Sequence, residues 1–264
     1  MPSSVPRWFQ LETGGNSTLQ RLGQTCWADR ICTGPCNFQG ADLLCGLERH
    51  TLKHLWEYMP PSAVVLELGG RYGTVSCGIS KRQSQSGLRL SLEPASQPFK
   101  SHMANVKANS CAGHTLLAAA SKVPLYIHPG GGAGSNGNNL RTDSCPGCER
   151  RTTYRVRELA SLLSSRVGRR VRFDSLVADC EGCFSALVRD EPEFLRDPRL
   201  KRIFYETDER DPELIRRVCA MGFGVVANQV DCLLPRGGLS QVVFVRGVAG
   251  CKVRSKRGVG CPDE

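Results

Sequence analysis

Long apolar runs are absent from this chain. Nowhere in its 264 residues does one approach the ~20 that cross a bilayer as a helix, so no helical membrane span is expected. The opening MPSSVPRWFQLETGG lacks the charged-then-apolar layout of a secretory leader. No secretion address is therefore expected in the chain as it stands; the compartment stays unknown, with a cytoplasmic setting the expectation on that sign alone. Aromatics total only 6% and are not interleaved with the basic residues, which weakens any case for stacking on nucleic-acid bases. Two phosphate-binding fingerprints are missing as well. G-x-G-x-x-G would need a glycine at position 68, where Leu68 stands, and no Gly-Lys-Ser/Thr follows the glycines. No internal repeat is visible.

Acids are outnumbered, 25 against 35 Lys and Arg, for a net charge of +10. The excess is uneven. Residues 141–172 hold nine arginines against Asp143, Glu149 and Glu158, and the stretch 246–257 adds Lys252, Arg254 and Lys256 with no acid among them. Such a belt attracts nucleic acid, anionic lipid or a phosphorylated substrate. It is equally what a solvated arginine-rich face looks like.

Cysteine is abundant, with fourteen in all. Cys26, Cys32, Cys36 and Cys45 cluster early, and Cys145-Pro-Gly-Cys148 forms a CxxC pair. The spacings do not repeat a zinc ribbon or knuckle. Disulfides, a zinc site and buried thiols stay open; some disulfide pairing in the N-terminal arm is the favoured expectation, and it keeps a secretory lumen open as the compartment.

The organisation follows composition. Residues 1–42 read as an irregular Cys/Gly-rich arm, and 43–264 as one domain with a Gly/Cys-rich insertion at 129–154 and a basic tail at 247–264. ADLLCGLERHTLKHLWEYM spaces Leu44, Leu47, Leu55 and Met59 as a helix that Pro60-Pro61 stops. Short apolar runs then recur: AVVLEL, LRLSLE, HTLLAAA, SLVADC, RIFYET, FGVVAN and SQVVFVR. Helical stretches such as ASQPFKSHMANVKAN, CFSALVRDEPEFL and DPELIRRVCAMG separate most of them. That alternation predicts an α/β fold built of βαβ units around a mainly parallel sheet. The last two strands leave no room for a helix between them and should pair antiparallel. The insertion, HPGGGAGSNGNNLRTDSCPGCERRTTY, is far longer than ordinary connections and is either a lid or plain disorder.

The stretch AVVLELGGRYGTVSC places an acid, Glu67, at the end of the first strand, then Gly69, Gly70 and Gly73 before a helix. Glycines there let the backbone approach a ligand at the carboxyl edge of the sheet. Glu93 ends the next strand, 20 residues after Gly73, where a carboxylate can accept hydrogen bonds from ribose hydroxyls. An adenosine-containing cofactor is implied. With no pyrophosphate motif, an acid beside the glycines suits S-adenosyl-L-methionine, whose amino-acid end carries an ammonium and a sulfonium. A tight strand-turn-helix corner is the plain alternative.

The order VVLELGGRYGTVSC, LSLEP, NVKAN, LLAAAS, LVADCEG and IFYETD resembles the FkbM-type family of S-adenosylmethionine-dependent methyltransferases, over residues 63–246. The chain departs from the family pattern in having Glu67 for the commoner Asp, Gly70 for the usual Ala, and Cys180 and Cys183 around the acidic turn. The resemblance implies a class I methyltransferase (Rossmann-like) three-layer sandwich, with a mostly parallel seven-stranded sheet and an antiparallel last strand. By position it also implies cofactor contacts from Glu67, Gly69, Gly70, Arg71, Gly73, Glu93, Ala119 and Asp179. Glu67 and the glycines would line the methionine and ribose side, Glu93 would hold the ribose, and Ala119, ending the third strand, would lie near the adenine. Asp179 and Glu181 would face the methyl group, with Glu206 on the same edge.

Methyl transfer to a hydroxyl needs alignment within about 3–3.5 Å and a base for the proton. Asp179 is the first choice, with Glu181 and Glu206 behind it; helix capping or contact with the cofactor's ammonium is the alternative role. His102 and His114 read as packing or surface residues. Cys180-Glu-Gly-Cys183 looks like a redox pair, though its place in the acidic turn accounts for it. Asp179, Glu181, Glu206 and Asp208 could converge on a metal, but none is expected. The acceptor expected is a small-molecule or glycan hydroxyl. A nucleic-acid acceptor using the arginine belt, and a non-catalytic cofactor-binding relative, are the alternatives.

Overall fold

The computed structural model describes residues 49–127, 140–180, 182–207, 212–230 and 239–251. The N-terminal arm, the glycine-rich first part of the insertion, Glu181, Asp208 and most of the basic tail lie outside these.

Four central strands are short segments, three of them buried along their whole length. β1 is Val65–Leu68, β2 Arg89–Leu92, β9 Ser175–Ala178 and β10 Arg202–Glu206, the last with half-buried ends. Burial on both faces is what a parallel sheet under helices requires. β3 (His114–Leu116), β11 (Phe223–Val230) and β12 (Leu239–Arg246) complete seven strands, in the spatial order β3-β2-β1-β9-β10-β12-β11. The ladders from β3 through β10 are parallel, while β12 runs antiparallel to both β10 and β11. This is a mostly parallel seven-stranded sheet with its last strand reversed, the Rossmann-like arrangement that the sequence predicts.

Successive side chains point to opposite faces of a strand, and here they feed two cores. Leu66, Leu68, Leu176, Ala178, Ile203, Val242 and Phe244 pack with the helices of one layer. Those are α4 (Val156–Val167), α5 (Cys183–Asp190), α6 (Pro192–Arg196) and α7 (Pro212–Ala220). Val65, Val177, Phe204 and Val243 face the other layer, made of α1 (Arg49–Tyr58), α2 (Thr74–Arg82) and α3 (Ser96–Ala108). CFSALVRDEPEFL is two helices rather than one, because Pro192 has no amide hydrogen to extend α5 and instead opens α6.

Two expectations need correction. The third strand ends at Leu116, not in the alanines that follow. Ala119–Ala120 forms a separate short strand, β4, paired with β8 (Thr153–Tyr154), and Ala119 N–H donates to Thr152 O at 3.0 Å. The insertion, for its part, is not irregular throughout. β5 (Leu125–Ile127) lies between β6 (Leu140–Arg141) and β7 (Glu149–Arg151) in a three-stranded antiparallel sheet. Cys145 and Cys148 form a disulfide within it.

Candidate functional site

The chain adds β2 and β3 on one side of β1, then returns to lay β9 on the other. Ligands in open α/β sheets bind at the carboxyl ends of strands where the order reverses in this way. Both lips of that crevice are tied together. Asp179 N–H, just after β9, donates to Leu68 O at 3.0 Å, and the Gly69 and Gly70 amides both donate to Leu92 O, at 3.0 and 2.9 Å. The approach is too close for a side chain. A Cβ on Gly69 would sit 1.7 Å from the Asp179 carbonyl oxygen, and its φ of +83° lies in the left-handed region besides.

Helix α3 forms the floor of the turn. His102, fully buried, places Nδ1 3.0 Å from Gly70 O and Nε2 3.1 Å from the Thr115 hydroxyl on β3. Asn105 donates through Nδ2 to Tyr72 O at 2.9 Å, and Asn109 to Asn105 O. The paired asparagines of NVKAN thus serve the turn and its own supporting helix. Beneath β1 and β2 lies a second polar group. Glu67 and Arg89 are both fully buried and form an ion pair at 3.5 Å. Ser76 and Ser91 donate to the same Glu67 oxygen, Oε2, and Arg89 donates to Ser91. Burial pulls the Arg89 pKa down, against the favourable charge of Glu67. Glu67 therefore supports the turn from inside the core and keeps one oxygen, Oε1, without a hydrogen-bond partner.

Glu93 is 5% exposed and meets the crevice from the end of β2. Its Oε2 accepts the Arg71 N–H and its Oε1 the Ala95 N–H, each at 2.7 Å. Burial pushes its pKa up to about 7; the two amides and the Arg71 charge oppose that rise, and the charge of Asp179 adds to it. Glu93 and Asp179 therefore feel each other across the crevice. Asp179 is half-buried, and Glu206 ends β10, also half-buried. Arg71 is exposed, holds a φ of +40°, and lays its guanidinium 5.5 Å from the Tyr72 ring centre. Gly73 precedes α2 with a φ of +89°.

Two contributors escape the sequence reading. Thr74 opens α2 right after the glycines, and its hydroxyl is buried with no hydrogen-bond partner at a helix N-terminus that no side chain caps. The signal was its place at the first helical position, where amides point outward. Arg89 was the other. His114, by contrast, only opens β3, half-buried, and His102 is the packing residue expected, with a polar task added. Ala119 is buried in β4 and does not end the third strand. Cys180 and Cys183 form a disulfide, as do Cys77 with Cys111 and Cys219 with Cys251. Among the described residues no three His, Cys, Asp or Glu converge in a metal-binding group, and no helix is long and apolar enough to cross a membrane.

The sequence matches no protein-family model and no curated protein. Solved structures with a similar course include ribosomal protein L11 methylase from Lactobacillus delbrueckii subsp. bulgaricus (10% identity, 78% of this chain and 80% of that one, TM-score 0.45). Sp1610 of Streptococcus pneumoniae, proposed as a tRNA (m1A22) methyltransferase and bound to S-adenosyl-L-methionine, is 14% identical over 78% of this chain and 75% of that one, at TM-score 0.44. A Klebsiella pneumoniae protein proposed as an O-methyltransferase is 14% identical over 90% and 93%, at TM-score 0.43.

Proposed function

We propose that this chain is an S-adenosylmethionine-dependent methyltransferase that methylates a hydroxyl of a small molecule or glycan, as the FkbM-type resemblance suggests. One observation carries the reading. At the point where strand order reverses, a turn with glycines at 69, 70 and 73 is flanked by Glu93 and Asp179, with two buried polar atoms lacking partners beside it.

The residues fit the cofactor. Each Glu93 oxygen accepts one amide and keeps a further lone pair, which a ribose hydroxyl could use. Thr74 and the uncapped start of α2 suit a carboxylate, and Glu67 Oε1 is the acceptor left under the turn. Gly69, Gly70, Arg71 and Gly73 give the backbone surface. When bound, the cofactor supplies a methyl group activated by its sulfonium. The rest falls to the protein: Asp179 takes the acceptor's proton, Glu181 and Glu206 are the further acids in that part of the sequence, and Ala119 remains the proposed adenine neighbour.

Titration calorimetry with S-adenosylmethionine tests the reading, followed by transfer of a labelled methyl group to components of a cell lysate. Hydroxyl donors need Glu93 ionised, so affinity is expected to rise with pH through about 7. Stability should move the opposite way. The folded pKa lies above the usual 4.5, so the contribution of Glu93 is complete below 4.5 and is lost as pH rises through about 7. Affinity flat across that window would count against Glu93 as the ribose ligand.

A second reading, a nucleic-acid acceptor, draws on one feature. Arg157, Arg170 and Arg172 line a cavity of about 450 Å³ along α4, with Ser161, Ser164 and Glu158. Guanidinium groups there would contact phosphates, and binding would weaken steeply with salt. RNA that fails to compete with the acceptor, at low salt as at high, would dismiss this version.

A further inference from the structure

The Gly70–Arg71 peptide unit is held from both ends. Its carbonyl, Gly70 O, points down to His102 Nδ1 at 3.0 Å, and its amide, Arg71 N–H, points up to Glu93 Oε2 at 2.7 Å. One rigid plane therefore couples a buried imidazole to the carboxylate assigned above to the ribose. A carbonyl can only accept, so Nδ1 carries the hydrogen, and Nε2 is left to accept from the Thr115 hydroxyl at 3.1 Å. That is a neutral ring in a single tautomer. Burial agrees with it, holding the His102 pKa down at about 4; the Arg89 charge works with burial, while Glu67 and the bonds to Gly70 and Arg71 work against it.

The ring also accounts for one glycine. A Cβ on Gly70 would lie 2.7 Å from His102 Cε1 and 2.8 Å from Nδ1, whereas one on Gly73 would first meet Val106 Cγ1 at 3.1 Å, with the ring at 3.3 Å. Gly70 stands where the resembling family usually has Ala, and the histidine fills the space that methyl would occupy. With the carbonyl end fixed, the peptide cannot flip. Arg71 stays at its φ of +40°, an unusual conformation for a residue with a side chain, and its N–H stays on Glu93.

We infer that His102 is a positioning residue for the cofactor site: it locks the Gly70–Arg71 peptide plane and through it orients the Glu93 carboxylate. This rests on the reading of Glu93 as the ribose ligand. Asn105, one turn along α3, anchors Tyr72 O in the same way, so the helix grips the turn at two carbonyls. The Gly73 N–H also donates to Gly70 O, at 2.8 Å, but among the described residues His102 is the side chain that holds the carbonyl of the peptide unit touching Glu93.

The test compares S-adenosylmethionine affinity by calorimetry in the wild type, His102→Asn and His102→Leu. Asparagine keeps an N–H donor near the Nδ1 position, whereas leucine fills the space without one. His102→Leu is expected to bind about tenfold more weakly, the effect of losing one buried hydrogen bond, and His102→Asn to stay within about threefold of wild type. Both variants should lower the melting temperature to a similar degree, so the split in affinity separates positioning from bulk stability. Equal affinities in all three proteins would overturn the inference. Loss of binding in the wild type itself would instead overturn the cofactor reading. Should His102→Leu fail to fold, nitrogen NMR of the wild-type ring decides: a neutral, Nδ1-protonated tautomer from pH 5 to 8 supports the lock, and an Nε2-protonated ring refutes it.

Discussion

Replacing Glu93 by alanine is expected to weaken S-adenosylmethionine binding by about 100-fold or more. Hydrogen bonds to a charged group contribute roughly 1.5–3 kcal/mol each, and two are at stake if both ribose hydroxyls donate to this carboxylate. The substitution also strips acceptors from the Arg71 and Ala95 amides, which frees the turn to relax. The fold should survive, because at neutral pH the ionised carboxylate is already held against its burial, as its pKa of about 7 records. Asp179→Asn should give the complementary pattern, with binding kept within several-fold and turnover lost. Calorimetry beside a melting curve checks the first, and single-turnover methyl transfer the second. If Glu93→Ala bound the cofactor as tightly as wild type, the proposed site would be wrong.

The largest effect on stability is expected at Arg89. Its guanidinium is fully buried against Glu67, which is fully buried too. Arg89→Met leaves that carboxylate without its cation and takes the donor from Ser91, a loss of about 3–5 kcal/mol by analogy with other broken buried pairs. Removing both charges should hurt less. A double variant, Glu67→Leu with Arg89→Met, is expected to recover most of the loss, because apolar replacements of a buried pair are often close to neutral. Urea denaturation measures all three. A single variant within 1 kcal/mol of wild type would mean that water or a shifted side chain takes the arginine's place.

Much of the sheet was legible because its strands are brief apolar runs that stop at glycines or acids. AVVLEL and SLVADC became β1 and β9 within a residue or two, and the spacing of the last two runs forced their antiparallel pairing. Arg89 was harder. In LRLSLE the polar residues alternate with leucines, which ordinarily marks a face turned to water. Only the parallel pairing of β1 with β2, which sets Glu67 opposite Ser91, reveals that this face is buried and needs an internal ion pair. That register is a tertiary fact. Helix α4 is masked in the sequence for another reason: its arginines dominate the segment, although Val156, Leu159, Ala160 and Leu163 carry the helical spacing and are all buried. The alanines after Leu116 read as strand because nothing in their composition marks where a chain leaves a sheet.

The acids proposed for the site can be named from their positions in the sequence, yet their partners cannot. Nothing local in the sequence says that Glu93 will hold a backbone amide from the glycine turn, or that a histidine nine residues after it will hold the same peptide from below. Such contacts arise when α3 packs across the strand ends, and they depend on side-chain volume at Gly70 as much as on charge.

The bridge from Cys77 to Cys111 closes a span of 34 residues. Inside it lie β2, Glu93 and the whole of α3, so most of what grips the glycine turn hangs on a single covalent ring. Fraying of the outer strands or of the insertion can widen the molecule without parting the ends of that ring. A partly opened protein would then keep the proposed cofactor half in near-native proximity, ready to re-close before the rest does.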